Sequence, residues 1–137
     1  MCLINQSYPQ YQGSIRWKFL TKEGEFLRSP SFMFYWSRAN NLADNYNYLF
    51  ASSQCGLHVY LFQQTAINAA KNWFEDHCDF KQKVFIAKLK CSNFLGGGII
   101  DKCDNYSNGK RGERWGEADI LAVYDIDGRE VTKMFFK

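Results

Sequence analysis

The sequence predicts a single α+β domain, with a mixed or antiparallel sheet of five to seven strands and two helices. Three observations carry this. Apolar and polar residues alternate with period two in several separate stretches, one stretch repeats its apolar residues every three or four positions, and an Asp-Gly turn joins two strand-like runs at the end of the chain. The chain has 137 residues, of which 46% are hydrophobic, 18% aromatic and 23% charged. That suits one domain able to hide roughly two-thirds of its unfolded surface without a disulfide or metal.

In chain order, Ile15, Trp17 and Phe19 alternate with Arg16 and Lys18, which predicts a strand over 13–20 with one face buried. Lys22-Glu23-Gly24-Glu25 is a turn, and Glu25 to Leu27 pairs back before Ser29-Pro30 interrupts. Residues 31–36 carry Phe32, Phe34, Tyr35 and Trp36 and suit a strand or the lead-in to a helix. From Ser37 the composition turns to Ala, Asn, Leu and Asp, and Leu42, Tyr46 and Leu49 predict a short helix ending near Phe50. Residues 55–62 are β-favouring, with Leu57, Val59 and Leu61 on one side and His58, Tyr60 and Phe62 on the other.

The firmest element is a helix capped by Thr65. Ile67, Ala70, Trp73, Phe74 and Cys78 form its inner stripe, while Lys71, Asn72, Glu75 and Asp76 stay outside. A strand over 82–91 follows, completing a βαβ-like unit. Six glycines, with Asn93, Asp101, Asp104, Asn105 and Asn108, then predict one long loop over residues 92–116. Residues 118–126 and 130–136 close the chain as a hairpin about Asp127-Gly128.

Charge and motifs exclude several functions. A net charge of +3 is too small for a dedicated duplex-DNA binder. No apolar run reaches the ~20 residues a membrane helix needs, and the first residues lack the pattern of a secretory signal, so a cytoplasmic protein is expected. The five cysteines include no Cys-x-x-Cys pair and read as free thiols. Cys55, His58, His77 and Cys78 would offer four soft ligands to zinc only if the fold gathered them, and no metal is expected. Gly96-Gly97-Gly98 lacks the Lys-Ser/Thr of a phosphate loop, and neither Gly-x-Ser-x-Gly nor His-Glu-x-x-His occurs.

The distribution of charge is more informative than its sum. Lys88 and Lys90 lie in a basic strand, and Tyr106 and Trp115 bracket Lys110, Arg111 and Arg114. Stacking rings beside cations suit single-stranded nucleic acid, and the same composition serves a protein–protein hot spot. These seven residues are therefore the expected binding site for an anionic partner, either nucleic acid or an acidic protein surface such as that of a nucleic-acid-binding complex. No cofactor is needed for that role.

The order of elements also suggests a second reading. Tyr11-Gln12-Gly13-Ser14 opens the first strand, Gly56-Leu57-His58-Val59-Tyr60 precedes the helix bearing Trp73, and Glu117 follows the strand over 84–89. This order resembles the ADP-ribosyltransferase-like fold. The resemblance implies an NAD-consuming transferase in which Tyr60 stacks on the nicotinamide and Glu117 stabilises the oxocarbenium-like transition state. Gln12 stands where that family has His, and Glu113 and Glu117 are four apart rather than in Glu-x-Glu spacing. Arg16 would substitute only if its strand face turned inward. The Gly-Leu-His box ahead of a helix is also similar to boxes in small proteins of bacteriophages and mobile elements. That likeness implies a binding or inhibitor protein acting in the host cytoplasm against host defence machinery, including nucleic-acid-guided nucleases (an anti-CRISPR role).

Overall fold

The computed structural model describes residues 3–6, 13–30, 34–42, 56–76, 83–100 and 111–136. The elements in order are β1 (Leu3–Gln6), β2 (Ser14–Glu23), β3 (Phe26–Arg28), β4 (Tyr35–Trp36), β5 (Asn41–Leu42), β6 (Leu57–Tyr60), α1 (Gln63–Asp76), β7 (Val84–Ile100), β8 (Arg111–Asp125) and α2 (Thr132–Phe135). Seven strands follow the path β1-β7-β8-β6-β2-β3-β4, and the two-residue β5 pairs with β8 off that path. Every named pairing is antiparallel. The α+β class, the antiparallel sheet and the number of helices among the described residues agree with the sequence, but only α1 lies where a helix was expected. No helix among the described residues is long and apolar enough to cross a membrane.

The long hairpin β7–β8 organises everything else. β2 lies along the first half of β7, from Thr21 opposite Val84 to Ser14 opposite Cys91. β6 lies along the start of β8, from Leu57 opposite Trp115 to Tyr60 opposite Gly112. Trp17 and Tyr60 then join β2 to β6, so β2, β7, β8 and β6 pair in a closed circuit. Because β6 and β7 are both antiparallel to β8, they run in the same direction with β8 between them, and α1 is the crossover. The βαβ-like unit read from the sequence is thus present in split form.

Alternation along the strands gives the circuit two apolar faces. The inner cluster contains Leu20, Leu27, Trp36, Leu57, Val59, Phe85, Leu89, Cys91 and Trp115. The outer cluster packs Phe19, Tyr60, Val84 and Ile86 under Ala66, Ala69, Ala70 and Trp73 of α1. Three alanines let the helix sit close to the sheet, and Trp73 fills the remaining gap with its ring 6.4 Å from Phe19. α1 begins at Gln63, two residues before the expected Thr65 cap. Phe74, expected on its inner stripe, is 42% exposed.

Residues 92–100 and 111–116, expected within one loop, are instead strand. Gly97 faces Gln6 on one side and Glu113 on the other, and Gly98 faces Asn5 and Gly112. The glycines lie within paired strand here rather than in a turn, a placement that their high local density disguises. The hairpin also bends. Register shifts fall between Lys88 and Leu89 and between Phe94 and Gly96, and Asn93 adopts φ 61. Cys91 and Phe94, three apart, therefore both reach the inner cluster.

Two other expectations change. Within 37–42 the chain forms β5, not the start of a helix. Asn41 is buried and donates to Ala118 O at 3.1 Å and Ser37 O at 2.8 Å, pinning the segment to β8. Residues 43–50 lie outside the described residues. After the Asp127-Gly128 turn the expected second strand is reduced to one bridge, Tyr124 with Glu130. Val131 N bonds to Val123 O at 2.7 Å, and the Thr132 hydroxyl accepts Val123 N–H at 2.9 Å. α2 then places Phe135 edge-on to Phe85 at 5.0 Å, so packing against the inner face overrides extended pairing.

The circuit closes over Gly56. Its φ is 98°, and a Cβ there would lie 2.8 Å from Leu95 Cδ1 and 3.2 Å from the carbonyl oxygen of Trp115. Backbone strain, a clash with the tip of the Leu95 side chain and a tight approach to the Trp115 carbonyl act together. Gly56→Ala is expected to cost about 1–3 kcal/mol, read as a lowered urea midpoint at unchanged m-value.

Candidate functional site

The inner face carries charge as well as hydrocarbon. Arg16 and Lys18 share it with Leu20, because β2 presents its even-numbered residues there. The strand face of Arg16 is thus turned inward. Its Nε donates to Glu113 Oε1 and its Nη2 to Oε2 at 3.4 Å. β2 and β8 are not paired with each other, so this ion pair spans the interior of the circuit. Glu113 is fully buried, whereas the Arg16 side chain keeps 14% of its surface exposed.

Neighbouring groups hold the pair in place. Trp115 Nε1 donates to Glu113 Oε1 at 3.2 Å, and the Arg16 guanidinium lies 5.9 Å from the Trp115 ring centroid. Phe94 meets Trp115 edge-to-face at 5.1 Å. Beside them Lys18 Nζ donates to His58 O at 2.7 Å and sits 6.0 Å over Trp36. The Cys91 thiol is pushed up to about 12, first by burial, with the Glu113 and Asp119 charges adding to the rise and Arg16 and Lys18 opposing it. A thiol so held stays protonated at neutral pH and is no nucleophile. Glu113 is closed to solvent and committed to Arg16 and Trp115, so the cluster's chemistry is internal cohesion.

The predicted binding residues separate into three groups. Trp115 is 0% exposed and Arg114 2%. Arg114 pairs opposite His58 and donates to Leu95 O at 3.3 Å. Both are closed to solvent, which corrects the expectation that they line an accessible loop: β6 and β7 pair along the two edges of β8 here, and Trp115 points into the inner cluster. Tyr106 and Lys110 lie outside the described residues. Lys90 and Arg111 are exposed and Lys88 half-buried.

Lys88 and Lys90 occupy the outer face, beyond the edge of α1. Lys88 stands opposite Trp17 and Lys90 opposite Ile15. Lys88 Nζ lies 6.0 Å from the Trp17 ring, and Trp17 lies 6.1 Å from Tyr124 in a tilted arrangement. Ile15 is 39% exposed. The result is a patch with two ammonium groups, an indole, a phenol and one aliphatic side chain, bordered by Asp119 of β8, which stands opposite Lys90 and whose Oδ1 accepts the Asn40 N–H at 2.7 Å. Sequence reasoning found its lysines but missed Trp17, which alternation marked only as core.

Tyr60 and Glu117, the residues of the transferase reading, are apart. Tyr60 is buried in the α1 cluster opposite Gly112, whereas Glu117 pairs with Leu42 and Ser92. Five residue steps along β8, from Gly112 to Glu117, correspond to roughly 16 Å. Of the soft-ligand residues, Cys55, His77 and Cys78 lie outside the described residues, and His58 is buried within β6. Among the described residues no group of three or more His, Cys, Asp or Glu is placed to hold a metal. Compared with known proteins, the chain matches no family model, no curated protein and no solved structure.

Proposed function

We propose that the protein is a small binding protein for a polyanion, engaged by the outer sheet face around Trp17, Lys88 and Lys90, with single-stranded nucleic acid as the partner this face suits best. The observation that carries the reading is the pairing of Lys88 with the Trp17 ring next to exposed Lys90, on strands rather than on a loop. Lysines two apart on one strand point to the same side at a spacing of roughly 7 Å, comparable to successive phosphates of an extended strand. The indole and phenol edges offer apolar contact to bases, and Ile15 widens the surface. Among the described residues no carboxylate forms an ion pair with either lysine. Placement on rigid β2 and β7 means that little ordering is required when a partner arrives.

Lys88→Glu with Lys90→Glu is expected to weaken capture of a single-stranded oligonucleotide on the order of tenfold or more and to reduce the slope of log affinity against log salt by about one per lysine. Arg114→Gln serves as the contrasting change: it should alter stability and leave the salt slope as it was. Titration by fluorescence anisotropy checks both. An unchanged slope in the double variant would remove the proposal, and retained binding to an acidic protein with no affinity for nucleic acid would redirect it.

A further inference from the structure

A groove of about 340 Å³ lies between the end of α1, the start of β7 and α2. Its volume falls at the lower end of the range that small-molecule sites occupy, ~300–1,000 Å³. Phe74, Phe85, Ile126, Val131 and Met134 form its apolar walls. Phe74 is 42% and Met134 58% exposed, so two large apolar side chains from different helices stand at the opening, open to solvent among the described residues. This accounts for the unexpected exposure of Phe74.

Two charged residues complete the lining, Lys83 and Asp125. They are not equivalent. Asp125 Oδ1 accepts the main-chain N–H of Asp127 at 3.0 Å and of Arg129 at 2.9 Å, so one oxygen of that carboxylate shapes the turn and its charge is held against those two N–H dipoles. Lys83 is anchored through its main chain, Lys83 O accepting Lys22 N–H at 3.0 Å. Among the described residues its ammonium has no ion-pair partner. An apolar trough with one available cation at its edge is complementary to a ligand with an apolar body and one anionic end. We propose that this groove binds a small apolar monocarboxylate, its tail against Phe74, Val131 and Met134 and its carboxylate at Lys83.

Octanoate is the probe, with octanol and octylamine as the neutral and cationic controls, titrated against isotope-labelled full-length protein by amide chemical-shift perturbation. Saturable shifts at Phe74, Val131 and Met134, with octanoate preferred over both controls, are expected. Lys83→Gln should weaken octanoate about twofold to fivefold, the worth of one solvent-exposed ion pair, and leave octanol unchanged. Met134→Glu places a carboxylate at the opening without touching the core, and should abolish octanoate binding in a protein whose remaining spectrum is unaltered. The proposal fails if octanoate gives no saturable shifts in the groove, if the three probes bind alike, if octylamine is preferred, or if Lys83→Gln leaves octanoate unaffected.

Discussion

Replacing Arg16 by Met is expected to destabilise the fold by about 3–5 kcal/mol, the cost of stranding one member of a buried ion pair. That is a large share of the ~5–15 kcal/mol that holds a domain of this kind together. The partner left behind, Glu113, has no exposed surface and would lose its guanidinium while the indole N–H of Trp115 stays. Glu113→Gln should cost less, because it strands a guanidinium that still reaches solvent over 14% of its side-chain surface and because the amide oxygen can still accept from Trp115. The order Arg16→Met worse than Glu113→Gln is the specific signature of this geometry. Combining the two should recover much of the loss, since neither charge is then left without its mate. Urea unfolding of the three variants measures all of this. Equal, small effects would mean that the pair contributes no more than a surface contact does.

The elements that sequence reasoning located are those whose signal is local. β2 announces itself through Ile15, Trp17 and Phe19 alternating with Arg16 and Lys18, although those two cations face the interior rather than solvent, and α1 through its alanines and Trp73, whose opposite helix face meets solvent. Where both faces are covered the signal vanishes. Leu57 to Tyr60 are all buried, so alternation fixed the strand there without telling which side held the core. The glycines at 96–98 show the converse failure. In isolation they weaken a strand, and only the presence of β1 and β8 on either side makes them suitable, which is long-range information. The same applies to α2, whose four residues have no helical repeat to read and depend on Phe135 meeting Phe85.

The functional reading divides along the same line. Lys88 and Lys90 were identifiable because they alternate with Ala87 and Leu89 on a predicted strand. Arg114 and Trp115 were assigned to solvent because glycines and charges surround them in sequence. A flanking Glu and Arg normally imply water, yet here Glu113 is neutralised by Arg16 from a strand nearly a hundred residues earlier. No local pattern encodes that encounter. The condition stated for Arg16, an inward strand face, is met, but the carboxylate that it meets is Glu113 and not Glu117.

Trp115→Ala is the second change expected to be severe, again about 3–5 kcal/mol. The ring is wholly buried, contacts Phe94, and lies beside the Arg16 guanidinium. Truncation would open a cavity at the point where β6, β7 and β8 converge and would also remove the N–H that supports Glu113. Trp115→Phe separates these effects. It keeps most of the apolar volume and loses only the hydrogen bond and part of the ring, so a cost of roughly 1–3 kcal/mol is expected. Thermal or urea unfolding gives both values. The pair also discriminates between a structural and a recognition role for this indole. If Trp115 holds the circuit together, Trp115→Phe at a temperature where it is fully folded should bind an oligonucleotide with wild-type affinity and salt slope, while Trp17→Ala should not. Loss of binding in folded Trp115→Phe, with stability intact, would return the recognition surface to β8 and overturn its placement on the outer face of β2 and β7.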